Sequence, residues 1–174
     1  MPSDEFMQFI RGVQATQNGV YRMSPDIPGL VEASNNLAKV TVKDGLVQWE
    51  CLTRSSVEST KWDLVHGLQA VGQLSGCSVE CSGDYPGWAP NMNSPILKVM
   101  RQIYRDTFEH EPHVAACHAG LECGIIGKHY PALDMISFGP NIRGAHAPDE
   151  RASISSSQKF WRFLCQVLTE IPKK

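Results

Sequence analysis

The sequence predicts an α/β protein built from two parts. In the first part, the dipeptide Asp44-Gly45 lies between two alternating apolar runs, and a helical apolar stripe follows them. In the second part, short apolar runs that are typical of buried strands alternate with amphipathic helices, an order that favours parallel pairing. Residues 82–93, a long stretch dense in Gly, Pro and Asn, separate the two parts. We therefore predict one domain over residues 1–85 and another over residues 86–174.

The first part is predicted to be a small α+β unit. Helical spacing of apolar residues, the Asp-Gly turn signal and a capping-box pattern each identify one of its elements. Extended chain is expected from Gly19 to Val31. The remaining elements, in chain order, are a helix over residues 4–13, a hairpin turning at Asp44-Gly45, a helix from the capping box Ser55–Glu58 to Gly76, and a strand over residues 77–81.

The second part is predicted to alternate helices with short buried strands. Its elements are a helix capped by Ser94 and started by Pro95, a strand over residues 114–117, a helix over residues 121–128, a strand over residues 135–138, and a final helix capped by Ser155-Ser-Ser-Gln158. Two strands are too few for a covered parallel sheet, which normally has about four or more. We therefore expect this part to be one side of a larger sheet.

The composition limits the classes of protein to which this chain can belong. The chain has 174 residues, of which 42% are apolar and 20% charged, and its net charge is -2 without a basic stripe, so a globular protein that does not bind nucleic acid is expected. No apolar run approaches the ~20 residues that cross a bilayer, and the acidic start of the chain does not resemble a secretory signal. The 6 cysteines are irregularly spaced, which favours reduced thiols. We expect a soluble cytoplasmic protein without a membrane partner.

Two polar residues are candidates for a site on pattern alone. Glu122 and His146 follow short apolar runs, so they are expected at strand ends, where open α/β sheets keep their ligands. A lone loop histidine is, however, more often a solvated or turn residue, and Glu122 could equally be a first-turn charge that meets the helix dipole. Arg54 falls on the strand face that points away from the core, as most surface arginines do. Cys117 and His118 are neighbours on a predicted strand and point to opposite faces, which disfavours thiol catalysis.

Five segments together resemble a known family. They are Asn18–Ser24, Ser82–Trp88, His118–Gly124, Asp134–Pro140 and Gly144–Glu150. In this order they resemble the bacterial aminoacyl-histidine dipeptidases, which belong to the di-zinc exopeptidases with carboxypeptidase G and the carnosinases. The resemblance covers nearly the whole chain. It implies that residues 1–85 are the C-terminal half of a lid and dimerisation domain, and that residues 86–174 are the C-terminal portion of a metallopeptidase catalytic domain.

The resemblance also implies a metal ligand. Gly144-Ala-His146 matches the family's C-terminal ligand motif, so His146 is expected to bind zinc, with two ions per full-length subunit and cobalt or manganese as alternatives. The family's other ligands and its catalytic glutamate lie in His-x-Asp and Glu-Glu motifs that this sequence lacks. No catalytic residue is therefore assigned, and the chain alone is expected to be inactive.

Four residues are implied as substrate contacts. Arg54 resembles the lid arginine that binds the substrate carboxylate, and Asn36 lies where such lids offer a further polar contact. Gly120 and Glu122 lie in a loop beside the metals, where Glu122 could pair with the free α-amino group. The implied activity is hydrolysis of dipeptides with a C-terminal histidine, such as carnosine, by a zinc-activated water in a homodimer joined through the lid. A stand-alone dimerisation or interaction module without catalysis is the alternative.

Overall fold

The computed structural model describes residues 3–118 and 122–171, and this part of the chain forms two compact units. The first unit consists of the described residues within Met1–Pro90 and Ala116–Pro131, and the second of those within Asn91–Ala115 and Ala132–Lys174. The change of unit after Pro90 falls inside the predicted linker. The return of residues 116–131 to the first unit is a feature that the sequence did not indicate.

A three-stranded antiparallel sheet organises the first unit. Its strands are β1 (Gly19–Met23), β2 (Val31–Lys43) and β3 (Leu46–Ser55), in the order β1-β2-β3. The predicted hairpin is confirmed, because Asp44 and Gly45 connect β2 to β3 with φ angles of 53° and 78°, which is a tight turn. β1 lies within residues that were predicted only as extended chain, and it pairs with the first residues of β2.

A bulge in β2 determines which side chains share a face of this sheet. Asn36 pairs with Leu52, but Lys39 pairs with Glu50, so Ala38 is an extra residue on β2. Because successive side chains alternate between faces, the extra residue reverses the alternation after this point. Asn36 therefore lies on the face opposite that of Val40 and Val42.

Two helices of the first unit form where helices were predicted, and they pack near the sheet. They are α1 (Ser3–Ala15) and α2 (Glu58–Leu74), and the ring of Phe9 on α1 lies 6.0 Å from that of Trp49 on β3. Leu64 of α2 is buried. The predicted capping box is wrong: Ser55 is still part of β3, and its hydroxyl bonds the backbone of Val57, whereas α2 starts at Glu58 without a side-chain cap.

The three remaining predicted strands do not form within the described residues. Segments 77–81, 114–117 and 135–138 have no strand partner there, and Val114 and Phe138 are exposed instead of buried. An apolar run becomes a strand only when a neighbouring backbone accepts and donates its hydrogen bonds. The expectation that this part is one side of a larger sheet stays a prediction.

The second unit is built on two helices. They are α3 (Pro95–Phe108) and α5 (Ile154–Glu170), and between them in sequence lies a short hairpin of β4 (Ile142–Arg143) and β5 (Arg151–Ala152). Helix α4 (Glu122–His129) belongs to the first unit. The core of the second unit consists of Met100, Ile103, Phe163 and Val167.

The sequence predicts a capping residue for each of these two helices. The prediction for α3 is confirmed, since Ser94 Oγ accepts a hydrogen bond from the Leu97 amide at 3.1 Å. The prediction for α5 is wrong by two residues: α5 begins at Ile154, so its free amides are reached by Ser153, whose side chain accepts from Ser156.

All six cysteines lie in the described residues and are free, which confirms the prediction of reduced thiols. Among the helices of residues 3–118 and 122–171, none is long and apolar enough to cross a membrane.

Candidate functional site

A groove of about 510 Å³ in the first unit brings several polar side chains together. It lies beside the ends of β1, β2 and β3 where these strands pair. Its lining includes Asn18, Ser34, Asn36, Leu52, Arg54 and His118.

Two predicted substrate contacts, Arg54 and Asn36, meet in this groove. Arg54 is the cross-strand partner of Ser34, and Asn36 is the partner of Leu52, so the four side chains occupy one face of the β2–β3 pair. Arg54 and Asn36 are both exposed, which leaves their donors accessible to a ligand. Simple alternation through Ala38 would also place Val40 and Val42 on this face, so the bulge separates the polar groove from the apolar face.

Amide side chains fix the β1 side of the groove. Asn35 is buried, its Nδ2 donates to the Gln17 carbonyl at 2.6 Å, and its Oδ1 accepts from Thr53 at 2.9 Å. Asn18 Oδ1 accepts from the Leu37 amide at 2.9 Å. These bonds hold the chain before β1 against β2, and the groove wall is therefore set before any ligand arrives.

His118 is the lining residue that is most distant in sequence. Its Nε2 lies 2.9 Å from Ser34 Oγ, although the two residues are 84 positions apart. Burial, and then the positive charge of Arg54, lower the pKa of His118 below its ordinary value. The ring is therefore neutral at neutral pH, and it shares the groove with one permanent cation.

Close backbone packing brings the His118 segment to the sheet. A Cβ atom at Gly124 of α4 would collide with the carbonyl oxygen of Pro86, and one at Gly87 would lie 2.6 Å from that of Ser56. Both positions therefore require glycine, since no other residue allows backbones to approach so closely. Residues 86–87 act as a spacer between the end of β3 and α4.

A buried lysine holds this spacer in place. Lys61 of α2 donates to Asp84 Oδ1 at 2.6 Å, to Glu58 Oε1 at 2.9 Å and to the Tyr85 carbonyl at 2.9 Å, while Glu58 accepts from the Gly87 amide at 2.6 Å. Burial would lower the pKa of Lys61, but the bonds to Asp84 and Glu58 outweigh it and raise that pKa. The hydrogen bond from Lys61 holds the pKa of Asp84 below its ordinary value.

The two other predicted substrate contacts lie in and next to the residues that the structure leaves undescribed. Gly120 is outside the described residues. Glu122 is the first residue of α4 and is exposed, so its carboxylate is available either to a ligand or to the helix N-terminus. Burial, and then the Glu122 charge, raise the pKa of the Tyr85 phenol, which places the carboxylate in the neighbourhood of the spacer.

The predicted metal ligand belongs to the second unit. His146 lies in the loop between β4 and β5 with a φ of 64°, and its backbone amide donates to Glu150 Oε2 at 2.8 Å. A second bond, from the Ala147 amide to the Gly144 carbonyl at 3.0 Å, closes the turn. The imidazole is exposed on a loop whose backbone is fixed, an arrangement that suits a ligand.

Comparisons with known proteins identify the family. The sequence matches the Peptidase family M20/M25/M40 over residues 7–170. The chain belongs to this family. It is 45% identical to the cytosol non-specific dipeptidase of Escherichia coli over 166 residues, which are 95% of this chain and 34% of that protein. The chain thus spans about a third of the length of this relative.

Two solved structures share the fold of this M20 family chain. The aminoacylhistidine dipeptidase from Vibrio alginolyticus matches with a TM-score of 0.83 and 40% identity, over 97% of this chain and 34% of that one. The aminopeptidase PepT from Bacillus cereus matches with a TM-score of 0.73 and 13% identity, over 97% of this chain and 45% of that one, which shows the fold alone. The expected fold class is therefore confirmed.

The donor set of this M20 chain fits one ligand of a metal centre. Imidazole is a common zinc ligand, and His146 offers one nitrogen on a fixed loop. Within residues 3–118 and 122–171, no group of three or more His, Cys, Asp and Glu side chains could hold a metal ion. His146 could therefore complete a centre whose other ligands come from elsewhere, and it would bind weakly by itself.

Several groove residues, among them Ser34 and His118, were not predicted as site residues. Ser34 carries no pattern of its own, and His118 was weighed only as a partner of Cys117. The available signal was the polar character of the His118–Gly124 segment. It could not reveal a partner 84 positions away.

Proposed function

We propose that the protein is an M20 metallodipeptidase that hydrolyses dipeptides with a C-terminal histidine, such as carnosine. The observation that carries the proposal is the shared groove of Arg54 and Asn36, in a chain of the same family as two dipeptidases. Residues 1–85 would supply part of the lid and residues 86–174 part of the catalytic domain. The substrate would lie against the groove with its carboxylate toward Arg54.

The chemistry of the groove supports a carboxylate ligand. A guanidinium offers two parallel N–H donors that match the two oxygens of a carboxylate, and a lysine could not do so. Asn36 adds an amide donor on the same strand face. At the other end of the dipeptide, Glu122 would pair with the free α-amino group, and Gly120 would let its loop approach the substrate closely. Selection of short peptides with both ends unblocked follows from these two charges.

His146 would be one ligand of a centre with two zinc ions, for which cobalt or manganese could substitute. When bound, zinc supplies the activated water that attacks the peptide bond. The described residues do not complete such a centre, so the water-activating base and the other ligands would come from the rest of an M20 peptidase. We therefore expect no hydrolysis by the 174-residue chain itself.

A cytoplasmic homodimer joined through the lid is also proposed. The apolar face of the β2–β3 hairpin supports it, because Val40 and Val42 share that face and are 44% and 61% exposed. Exposed apolar side chains that share a sheet face are typical of a surface that another chain covers. Sedimentation of the complete gene product should give a dimer, and Val42→Glu should shift it toward the monomer. A wild-type monomer would remove this part of the proposal.

The test compares the 174-residue chain with the complete gene product. Zinc content and release of histidine from carnosine and other Xaa-His dipeptides are measured for both. We expect hydrolysis by the complete product, lost on chelation and restored by zinc, and none by the chain. Upstream His-x-Asp and Glu-Glu motifs in the same reading frame are expected as well. If the complete product cleaves no dipeptide, the proposal is wrong and an interaction module is favoured.

A further inference from the structure

We propose that His118 is a further substrate contact, placed by Ser34 so that its imidazole meets the same carboxylate as Arg54. The inference rests on the function proposed above, because it assigns a second donor within that site. His118 lines the groove together with Arg54 and Asn36, and its own position is fixed by a hydrogen bond and by backbone packing.

The hydrogen bond to Ser34 determines how the ring would meet a ligand. Because Nε2 is engaged by Ser34 Oγ at 2.9 Å, a ligand in the groove would be met by Nδ1. When the serine hydroxyl donates to Nε2, the neutral ring carries its proton on Nδ1 and presents an N–H donor. The hydroxyl can also accept from Nε2, so Ser34 permits both tautomers, and an anion at Nδ1 would favour the one in which Nδ1 donates to it.

Charge in the groove favours the neutral ring of His118, which the tautomer with its proton on Nδ1 requires. Ser34 and Arg54 are cross-strand partners, so the arginine approaches the side of the groove where the serine holds the imidazole. Burial and the guanidinium lower the pKa of His118, and the ring stays neutral at neutral pH. A carboxylate would therefore meet one cation and uncharged donors from His118 and Asn36, which matches its single negative charge.

Backbone packing explains how a residue from another part of the chain reaches this position. His118 and α4 both belong to the segment 116–131 that joins the first unit. Gly124 of α4 packs on Pro86, and Gly87 packs on the end of β3 at Ser56. This contact chain links the segment of His118 to the strand that carries Arg54.

The direct test uses a dipeptide analogue with a reduced peptide bond, prepared with either a C-terminal carboxylate or a C-terminal carboxamide. Calorimetry measures the Kd of each form for the complete gene product. His118→Ala should raise the Kd of the carboxylate form at least about tenfold and that of the carboxamide form less than about twofold, since only the former accepts a charge-assisted bond. His118→Gln should recover part of the loss, because its amide can bond both Ser34 and a ligand. His66→Ala, which removes an exposed histidine of α2, is the matched control.

Equal losses for the two forms, or no loss, would overturn the role of His118. A thermal midpoint for His118→Gln near that of the wild type separates binding from folding. If Arg54→Ala weakens the carboxylate form while His118→Ala does not, only this inference fails. If the wild type discriminates neither form and cleaves no dipeptide, the proposed function fails with it.

A second variant tests the packing step. Gly124→Ala places a methyl group against the Pro86 carbonyl and 3.3 Å from that of Gly87, so α4 must shift. We expect it to weaken the carboxylate form as His118→Ala does. Gly67→Ala is the control, since a Cβ there meets open space on a helix. Wild-type affinity in Gly124→Ala would show that this packing does not place His118.

Discussion

Replacing Lys61 by methionine should destabilise the first unit through the spacer between β3 and α4. The ammonium is nearly buried, with 8% of its side chain exposed, and it donates to Asp84, Glu58 and the Tyr85 carbonyl. Methionine fills a similar volume, so the variant removes the charge and the donors without opening a large cavity. What remains is two carboxylates and a carbonyl without their common donor.

The magnitude follows from the exposure of these acceptors. Removing one partner of a fully buried ion pair costs ~3 to 5 kcal/mol. Here the side chains of Glu58 and Asp84 are 48% and 46% exposed, so water replaces part of what they lose. Hydrogen bonds to charged groups contribute less than that when they are partly exposed, so we expect a loss of about 2 to 3 kcal/mol, at or below the lower limit of that range. For a protein of this size that lowers the thermal midpoint by about 4 to 12 °C.

The pH dependence has a defined sign. Burial alone would raise the pKa of Glu58, but bonds from Gly87 and Lys61 lower it, and the Lys61 bond lowers that of Asp84. Their stabilisation is complete above the ordinary carboxyl pKa and is lost as pH falls through the depressed folded values. Lys61 has a raised pKa, so its contribution is complete below the ordinary lysine value and is lost as pH rises through the folded one. The difference between wild type and variant should be largest near neutral pH and smaller in acid.

Thermal and urea unfolding, followed by circular dichroism between acid and neutral pH, measure this difference. Lys43→Met is the matched control, because Lys43 is 78% exposed and lies 4.0 Å from the equally exposed Asp44. It should change the free energy of unfolding by less than about 0.5 kcal/mol. If Lys61→Met behaves like Lys43→Met, or if its effect does not shrink in acid, the spacer is not held by this lysine.

Three further predictions concern the site and the second unit. In the complete gene product, Arg54→Ala should raise KM at least about tenfold at an unchanged thermal midpoint, whereas Lys39→Ala on the same strand face should not; equal KM values would remove Arg54 from the site. His146→Ala should remove at least one zinc per subunit, measured by metal analysis, and nearly all turnover with the fold retained, and full zinc content would refute the metal role. Ser94→Ala should cost ~1 to 2 kcal/mol of unfolding free energy, because it removes the cap of α3 and a bond to Asp134, and an unchanged urea midpoint would contradict this.

Local signals in the sequence were sufficient where one short segment decides the structure. The Asp-Gly turn, the Ser94 cap and the helical apolar stripes each depend on residues within about one or two turns of each other. The prediction of a helix cap was wrong where a strand and a helix compete for the same residue. Ser55 fits a capping box by spacing, but it is also the last residue of β3, and strand pairing with Ala33 fixes its backbone.

Strands were predictable only where their partner lies nearby in the chain. β2 and β3 find each other across a two-residue turn, so little entropy is lost when they close. Segments 114–117 and 135–138 have the apolar residues of strands but no partner in the described chain. Part of segment 135–138 packs on the helices of the second unit instead, since Ile136 contacts the core and the ring of Phe138 lies 5.6 Å from that of Phe163.

The site shows the same limit at the level of single residues. Arg54 and Asn36 were predicted from a family resemblance, yet their common face depends on the bulge at Ala38, which no local pattern announces. Simple alternation would place Asn36 with Val40 and Val42 and would predict a mixed surface. Because the bulge reverses the alternation, the polar side chains of β2 before Ala38 face those of β3 around Arg54, and the valines turn to the other face. The position of His118 in the groove depends in turn on the packing at Gly124. Three segments that are distant in sequence therefore form the groove together. Deleting Ala38 would remove the extra residue and leave a regular ladder in which Asn36 still pairs with Leu52 and Val40 with Trp49. Asn36 would then stay on the face of Arg54, so we expect this deletion to retain carboxylate binding.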